Sequence, residues 1–214
     1  NRLLNIKQIY SKNIIYKKNF FVIPAGGFGK RLYPLTKKIP KPMIKIKNKP
    51  ILEHVIVNAK RSGFRKFFIL THYLSNKIKN YFKNGERWNI DISYIYEESP
   101  LGTVGGLKLL KKKKLPIVVS NSDLISNIDL DSMLKFHKTN KSYLTIATRV
   151  FETRNRFGLM SISKNKRVNS IKEKPIDLNF INSGLYIFSY EAVKDLSNLK
   201  LKKIDITDFC NKKK

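Results

Sequence analysis

The chain has 214 residues, 42% of them hydrophobic, enough for one well-cored domain and short for two. Lysine and arginine outnumber aspartate and glutamate 44 to 15, and the net charge of +29 draws polyanions: nucleic acid, anionic membrane or phosphorylated small molecules. The lysines are spread along the chain beside abundant Asn and Ile, so the charge reads as compositional bias, and neither a specific nucleic acid nor a membrane partner is expected. Apolar runs are strand-sized and broken by lysine, which argues against a transmembrane helix or signal h-region. The single Cys210 excludes an internal disulfide and a cysteine metal cluster and fits a reducing, cytoplasmic compartment.

Residues 1–19 hold scattered apolar positions, then the polar run Ser11-Lys12-Asn13. They read as a lead-in or the end of an upstream element, with the domain over residues 20–214, its C-terminus open to truncation. Phe20 to Pro24 is a compact apolar strand that empties into Ala25-Gly26-Gly27-Phe28-Gly29, with Lys30, Arg31 and Lys41 beyond it. Glycines let the backbone approach an anion and turn several N–H groups toward it, while Arg supplies a planar fork and Lys a point charge. The spacing fits neither of two familiar phosphate loops. No glycine stands five residues before Gly29 and Arg31 replaces the Ser or Thr of a P-loop, while Leu32 stands where a dinucleotide fingerprint needs Gly or Ala. By residue type alone the turn is an anion site or an ordinary strand-to-helix connection. Pro40 and Pro42 fix the backbone on either side of Lys41, which suits a phosphate site and is equally explained by a rigid turn.

Met43 to Lys47 alternates as a short strand, and Pro50 opens a helix with Ile51, Leu52, Val55, Ile56 and Ala59 on one face and Gly63 at its end. Lys66 to Thr71 is a buried strand, Ser75 caps a helix to about Lys83, and Asp91 to Glu97 is a third strand. Alternating strands and helices predict a mainly parallel sheet covered by helices, with ligands at the carboxyl ends of its strands. The third strand runs into a second glycine turn, Glu97 to Leu107, which opens a helix ending in Lys111 to Lys114. Leu115 to Val119 is a further strand, leading to Ser120-Asn121-Ser122-Asp123. A carboxylate just past a buried strand and beside two glycine turns is placed to hold Mg²⁺; alone, Asp123 would read as a helix N-cap. Beyond it come a helix over Leu130 to Thr139, a strand over Tyr143 to Val150, and antiparallel partners Phe157 to Ser163 and Arg167 to Lys172. Glu173-Lys174-Pro175 interrupts, Ile181 to Phe188 is a strand carrying Asn182 and Gly184, and a short helix starts at Tyr190.

Taken together, GGFGKRLYPLTKKIPKPM resembles the first motif of the sugar-phosphate nucleotidylyltransferases, approximately GGxGxRLxPxTxxxPKPM, at every defined position. LGTVGGL resembles that family's second glycine turn, SNSD its metal motif, EKP its sugar-phosphate motif and NSGLYIF the strand that closes on the sugar, in family order from Phe20 to about Asp208. The resemblance implies a Rossmann-like nucleotide-diphospho-sugar transferase fold, an α/β mixed, mostly parallel sheet flanked by helices. The implied activity is transfer of a nucleotidyl group from an NTP to a sugar 1-phosphate, with Mg²⁺ as cofactor and pyrophosphate as product, in nucleotide-sugar and polysaccharide biosynthesis. Homo-oligomers are compatible with it.

Carried over residue by residue, Ala25, Gly26, Gly27, Gly29, Gly102 and Thr103 would line the nucleotide, with Gly26 and Gly27 at the base. Arg31 would hold the triphosphate and Lys41 would bridge the α-phosphate and the sugar phosphate. Asp123 would ligate the metal, with Asp208 as second ligand and Asp205 as its nearest rival, and Gly158, Glu173, Lys174 and Asn182 would lie on the sugar-phosphate side. Ser122 departs from the family's N-G-D, and its Cβ crowds the base or ribose. Glu97 stands where some relatives read the base with Gln; a carboxylate only accepts, so it suits guanine N1–H and N2–H or the cytosine amino group, and GTP is favoured. No general base is required, because a phosphate monoester with a second pKa of about 6 is already mostly dianionic at neutral pH. His54, His72 and His137 are accordingly read as structural. A catalytically silent, sugar-nucleotide-binding regulatory subunit is the alternative.

Overall fold

The computed structural model describes residues 16–110 and 114–211. The chain divides into two units, residues 1–145 with 184–214, and residues 146–183.

The first unit is built on a sheet whose centre is β1 (Lys17–Pro24). β1 pairs in parallel with β4 (Phe64–Thr71) on one side and β6 (Ile117–Ser120) on the other; β5 (Asp91–Tyr96) extends the sheet in parallel beyond β4. β10 (Ile176–Phe188) closes it antiparallel to β6 through Leu185 to Phe188, so the order β5-β4-β1-β6-β10 is mixed and mostly parallel. A strand buried on both faces reads as a continuous apolar run. Phe21, Val22 and Ile23 of β1, Ile69 and Leu70 of β4 and Val118 and Val119 of β6 are each no more than 1% exposed, and this core anchors the loops at the strands' carboxyl ends. β1 starts three residues before the predicted strand; Asn19, buried, donates its side-chain amide to the Pro116 carbonyl at 2.8 Å, so a polar residue is accommodated there.

After the short antiparallel strands β2 (Lys45–Ile46) and β3 (Lys49–Pro50), helix α1 (Ile51–Arg61) buries Leu52, Val55, Ile56 and Ala59 of the predicted stripe and leaves its first member, Ile51, half-buried. It also buries Glu53, which accepts from the Tyr81 hydroxyl at 2.7 Å. Helix α2 (Ser75–Phe82) starts at the predicted Ser75, but its cap position is Leu74 in a left-handed conformation, and no side chain caps it. The helix expected after the second glycine turn is a single turn, α3 (Gly102–Gly105), continued as a 3-10 turn to Leu109; Lys111 to Lys113 lie outside the described residues. Helix α4 (Leu130–Thr139) is capped by Asp129, whose carboxylate accepts from Asp131 and Ser132 N–H. Asp123 is therefore not the cap of the helix that follows it. Helices α5 (Tyr190–Asn198) and α6 (Ile206–Asn211) complete the unit.

The second unit contains the antiparallel pair β8 (Leu159–Ile162) and β9 (Val168–Lys172), with Met160 opposite Ile171. It also contains most of β7 (Leu144–Arg154), the neighbour of β10 in strand order, and the first residues of β10. β10 starts at Ile176, directly after Pro175, five residues earlier than predicted. Among the described residues no helix is long and apolar enough to cross a membrane.

Candidate active site

The loops at the carboxyl ends of β1, β5 and β6 line a cleft of about 400 Å³, entirely within the first unit. β1 delivers the first glycine loop: Ala25 N–H continues the sheet by donating to the Leu70 carbonyl at 2.8 Å, and Ala25, Gly26, Gly27 and Gly29 then line the cleft. No heavy atom lies within 4 Å of where a Cβ on Gly27 would stand, so that peptide faces open space. The loop is held closed by Thr36, fully buried, whose hydroxyl donates to the Gly29 carbonyl at 2.9 Å. Thr36 was not singled out from the sequence, although its threonine is one of the defined positions of the first motif.

Lys41 lies in the 3-10 turn Lys41–Met43, between Pro40 and a buried Pro42, and its ammonium forms an ion pair with the Asp123 carboxylate that β6 delivers from the opposite side. The prolines and the end of β6 thus bring one cation and one anion to the same point. Arg31 belongs to the exposed 3-10 turn Lys30–Leu32 and is not among the lining residues.

The second loop contributes Gly102 and Thr103. Gly102 has φ +87°, and a Cβ there would stand 2.5 Å from the Ile204 carbonyl and 2.9 Å from Asp205, so the position requires glycine twice over, for conformation and for space. Thr103 fastens the C-terminal segment to this loop. Its N–H and hydroxyl donate to Asp205 Oδ1 at 3.0 and 3.2 Å, and its hydroxyl oxygen accepts from Ile206 N–H at 2.9 Å. Asp205 also pairs with Lys203 at 3.1 Å. Burial raises the Asp205 pKa, but the Thr103 N–H and the Lys203 ammonium more than offset this, and the carboxyl lies below its ordinary value. Asp205 and Lys203 line the cleft. Asp208 does not; its carboxylate accepts from the Asp205 N–H at 3.0 Å and sits in the first turn of α6. The two candidates for a second metal ligand therefore divide by position, Asp205 on the cleft and Asp208 capping the helix behind it. Lys203 had no sequence signal, being one lysine among many. Replacing Thr103 by valine removes both hydroxyl bonds and is expected to cost about 1–3 kcal/mol. Faster hydrogen exchange at the Ile206 amide is the reading to look for; unchanged protection there would contradict the anchoring role.

β5 brings Glu97 to the cleft, with its N–H donating to the Thr71 carbonyl at 2.8 Å and its carbonyl bonded to His72 Nδ1 at 2.8 Å. The residue is 4% exposed and its Oε1 is buried with no hydrogen-bond partner among the described residues. Burial pushes its pKa from 4.5 up to about 7, while the Leu101 N–H and nearby His72 pull it down without restoring it. The folded protein thus holds this proton more tightly than the unfolded chain, so Glu97 lowers stability as pH rises from about 4.5 to about 7, and the penalty stays in full above that. Glu97→Gln is expected to raise the thermal midpoint at pH 8 more than at pH 4, measured by differential scanning calorimetry; an equal shift at both would contradict the buried ionisation.

The remaining sugar-side candidates lie in the second unit. A Cβ on Gly158 would stand 2.8 Å from Glu173 Oε2, so these two residues adjoin. Lys174 has φ +41° in the turn between β9 and β10, and Asn182 lies on β10. His137 Nδ1 bonds to the Thr145 hydroxyl oxygen at 2.8 Å and His54 Nε2 to the Ile46 carbonyl at 2.9 Å, both away from the cleft lining.

A mostly parallel sheet with two glycine loops on one cleft defines a nucleotidyltransferase-type α/β protein. Two solved structures share its fold: HddC from Yersinia pseudotuberculosis complexed with GMP-PN, 27% identical with a TM-score of 0.64 over 87% of this chain and 82% of that one, and a Bacillus anthracis protein assigned as a glucose-1-phosphate thymidylyltransferase, 22% identical with a TM-score of 0.72 over 89% and 80%. The nucleotidyl transferase family profile matches residues 21–213, and the chain belongs to that family. The mannose-1-phosphate guanyltransferase beta-B of Xenopus laevis is 36% identical over 187 residues, 84% of this chain and 52% of its own. The chain spans about half the length of the curated relatives it matches.

Proposed function

We propose that this chain carries a sugar-1-phosphate nucleotidylyltransferase site that transfers a nucleotidyl group from an NTP, GTP in preference, to a sugar 1-phosphate. The observation that carries the reading is the convergence of Lys41, Asp123 and both glycine loops on one cleft. The family membership and the guanylyltransferase names of the 32–36% identical relatives support it.

In the reaction an oxygen of the sugar phosphate forms a bond to the α-phosphorus while the bond from that phosphorus to the β-phosphate bridge breaks, and pyrophosphate leaves with the electron pair. The nucleophile is already ionised, so the chain's work is to position two anions in line and offset their charge. Lys41 would contact the α-phosphate and the incoming phosphate, and the N–H groups of the Gly26-to-Gly29 loop the nucleotide. Arg31, exposed beside that loop, would fold onto the triphosphate when it binds.

The donors fit Mg²⁺. Asp123 and Asp205 offer hard carboxylate oxygens on the same cleft, and Mg²⁺ characteristically takes one or two carboxylates and completes its shell with water and substrate phosphates. Bound there, Mg²⁺ would supply charge neutralisation at the phosphates.

A panel of the four common NTPs against glucose, mannose, glucosamine and N-acetylglucosamine 1-phosphates, read by pyrophosphate release, tests the reading. GTP with at least one of these sugars is expected to react fastest; release from no pair by a folded sample would overturn it.

A further inference from the structure

Glu97 sits where the two glycine loops meet. A Cβ on Gly26 of the first loop would stand 2.9 Å from its Oε2, and a Cβ on Gly106 beyond the second would stand 2.6 Å from its Oε1. A side chain at either glycine would therefore collide with this carboxyl. It lines the cleft, yet it is 96% removed from solvent and one oxygen has no partner among the described residues. A buried anion is costly unless a cation or several donors satisfy it. The cations of the cleft are engaged elsewhere, Lys41 with Asp123 and Lys203 with Asp205. Of the groups packed around Glu97, His72 at the end of β4 is the one whose charge acts on it; the Leu101 N–H contributes one bond, and Glu98, its neighbour in sequence, is exposed. Among the described residues the Leu101 N–H and His72 compensate only part of a negative charge at this point, whereas a neutral carboxylic acid is tolerated far better.

Resting on the GTP reading above, we propose that Glu97 is a protonated acid in the empty cleft and gives up that proton when guanine binds, so that capture of GTP is coupled to release of one proton. The ligand chemistry follows from donor count. Guanine presents two parallel donors, N1–H and N2–H, and only an ionised carboxylate accepts both without a clash. The proton leaves to solvent as the two N–H bonds form, and no redox or covalent change accompanies it. A base without two adjacent donors, such as adenine, has nothing to drive the ionisation. The elevated pKa of the free carboxyl, about 7, places the coupling in the physiological range.

The test is calorimetric titration of the protein with MgGTP, without sugar phosphate, in buffers of different ionisation enthalpy at pH 6 and pH 8. At pH 6 the wild type is expected to release close to one proton more than Glu97→Gln, which keeps every phosphate contact, and its affinity should fall about tenfold between pH 8 and pH 6. MgATP, with the same triphosphate, should show neither effect beyond what Glu97→Gln shows. Equal proton release by wild type and variant, with MgGTP bound, would overturn the coupling and leave the guanine preference standing. Failure of MgGTP to bind where another MgNTP binds would overturn the base reading itself. Should the variant not bind, the side-chain carboxyl of Glu97 in the empty wild type, followed by ¹³C NMR, is expected to titrate near pH 7; titration near the ordinary glutamate value would overturn the proposal.

Discussion

Lys41→Ala is expected to lower kcat/KM for nucleotidyl transfer by at least about a thousandfold while leaving the fold intact. The size of the effect follows from position rather than from charge alone, because the chain carries 44 Lys and Arg and a general excess of positive charge would tolerate the loss of one. Lys41 alone is braced between Pro40 and a buried Pro42 and meets the Asp123 carboxylate across the cleft. The stability cost should be small, because the ion pair is partly exposed and such pairs contribute about 0–1 kcal/mol. Lys41→Arg separates charge from shape: under the proposed function a planar fork would not replace a point charge shared by two phosphates, so the variant should recover only part of the activity. A fully active Lys41→Ala would remove the lysine from the mechanism.

Asp123→Asn is the second large effect, expected to reduce turnover about a thousandfold or more and to weaken Mn²⁺ association with the protein–nucleotide complex, followed by electron paramagnetic resonance. The metal readout matters because turnover alone would not distinguish a lost ligand from a displaced Lys41. The double variant Lys41→Ala with Asp123→Asn should be far less impaired than the product of the two single losses, since groups that act on one phosphate centre fail together. Strictly multiplicative losses would show that the two residues work independently.

The central strands were legible because β1, β4 and β6 are buried on both faces and their apolar runs are continuous, and α1 because its stripe repeats at helical spacing. The helix after the second glycine turn was not, because its shortness comes from tertiary contact. The Thr103 and Gly105 region is held by bonds to Ile204 and Asp205, a hundred residues away in the chain, which no local pattern announces. Ser75 illustrates a second limit. Its residue type favours capping, yet the backbone turns at Leu74 with φ +49° and leaves Ser75 inside the helix.

The site divides in the same way. Lys41, Asp123, Glu97 and the loop glycines Gly26, Gly27, Gly29 and Gly102 are legible from motifs and lie together on the cleft. Arg31, expected from the motif at the triphosphate, lies in an exposed turn outside the lining residues. Between Asp205 and Asp208 the sequence offered two carboxylates in one short segment, and only the bonds from Thr103 distinguish the one turned to the cleft. The departure at Ser122 also has a place, since Ser122 lines the cleft next to Asp123.

The most direct measurement uses GTP labelled with ³²P at the α-phosphate, incubated with Mg²⁺ and a sugar 1-phosphate. The label is expected to appear in a GDP-sugar, with one unlabelled pyrophosphate released for each. Label found only in GMP or GDP, or no transfer from any α-labelled NTP to any sugar 1-phosphate, would contradict it.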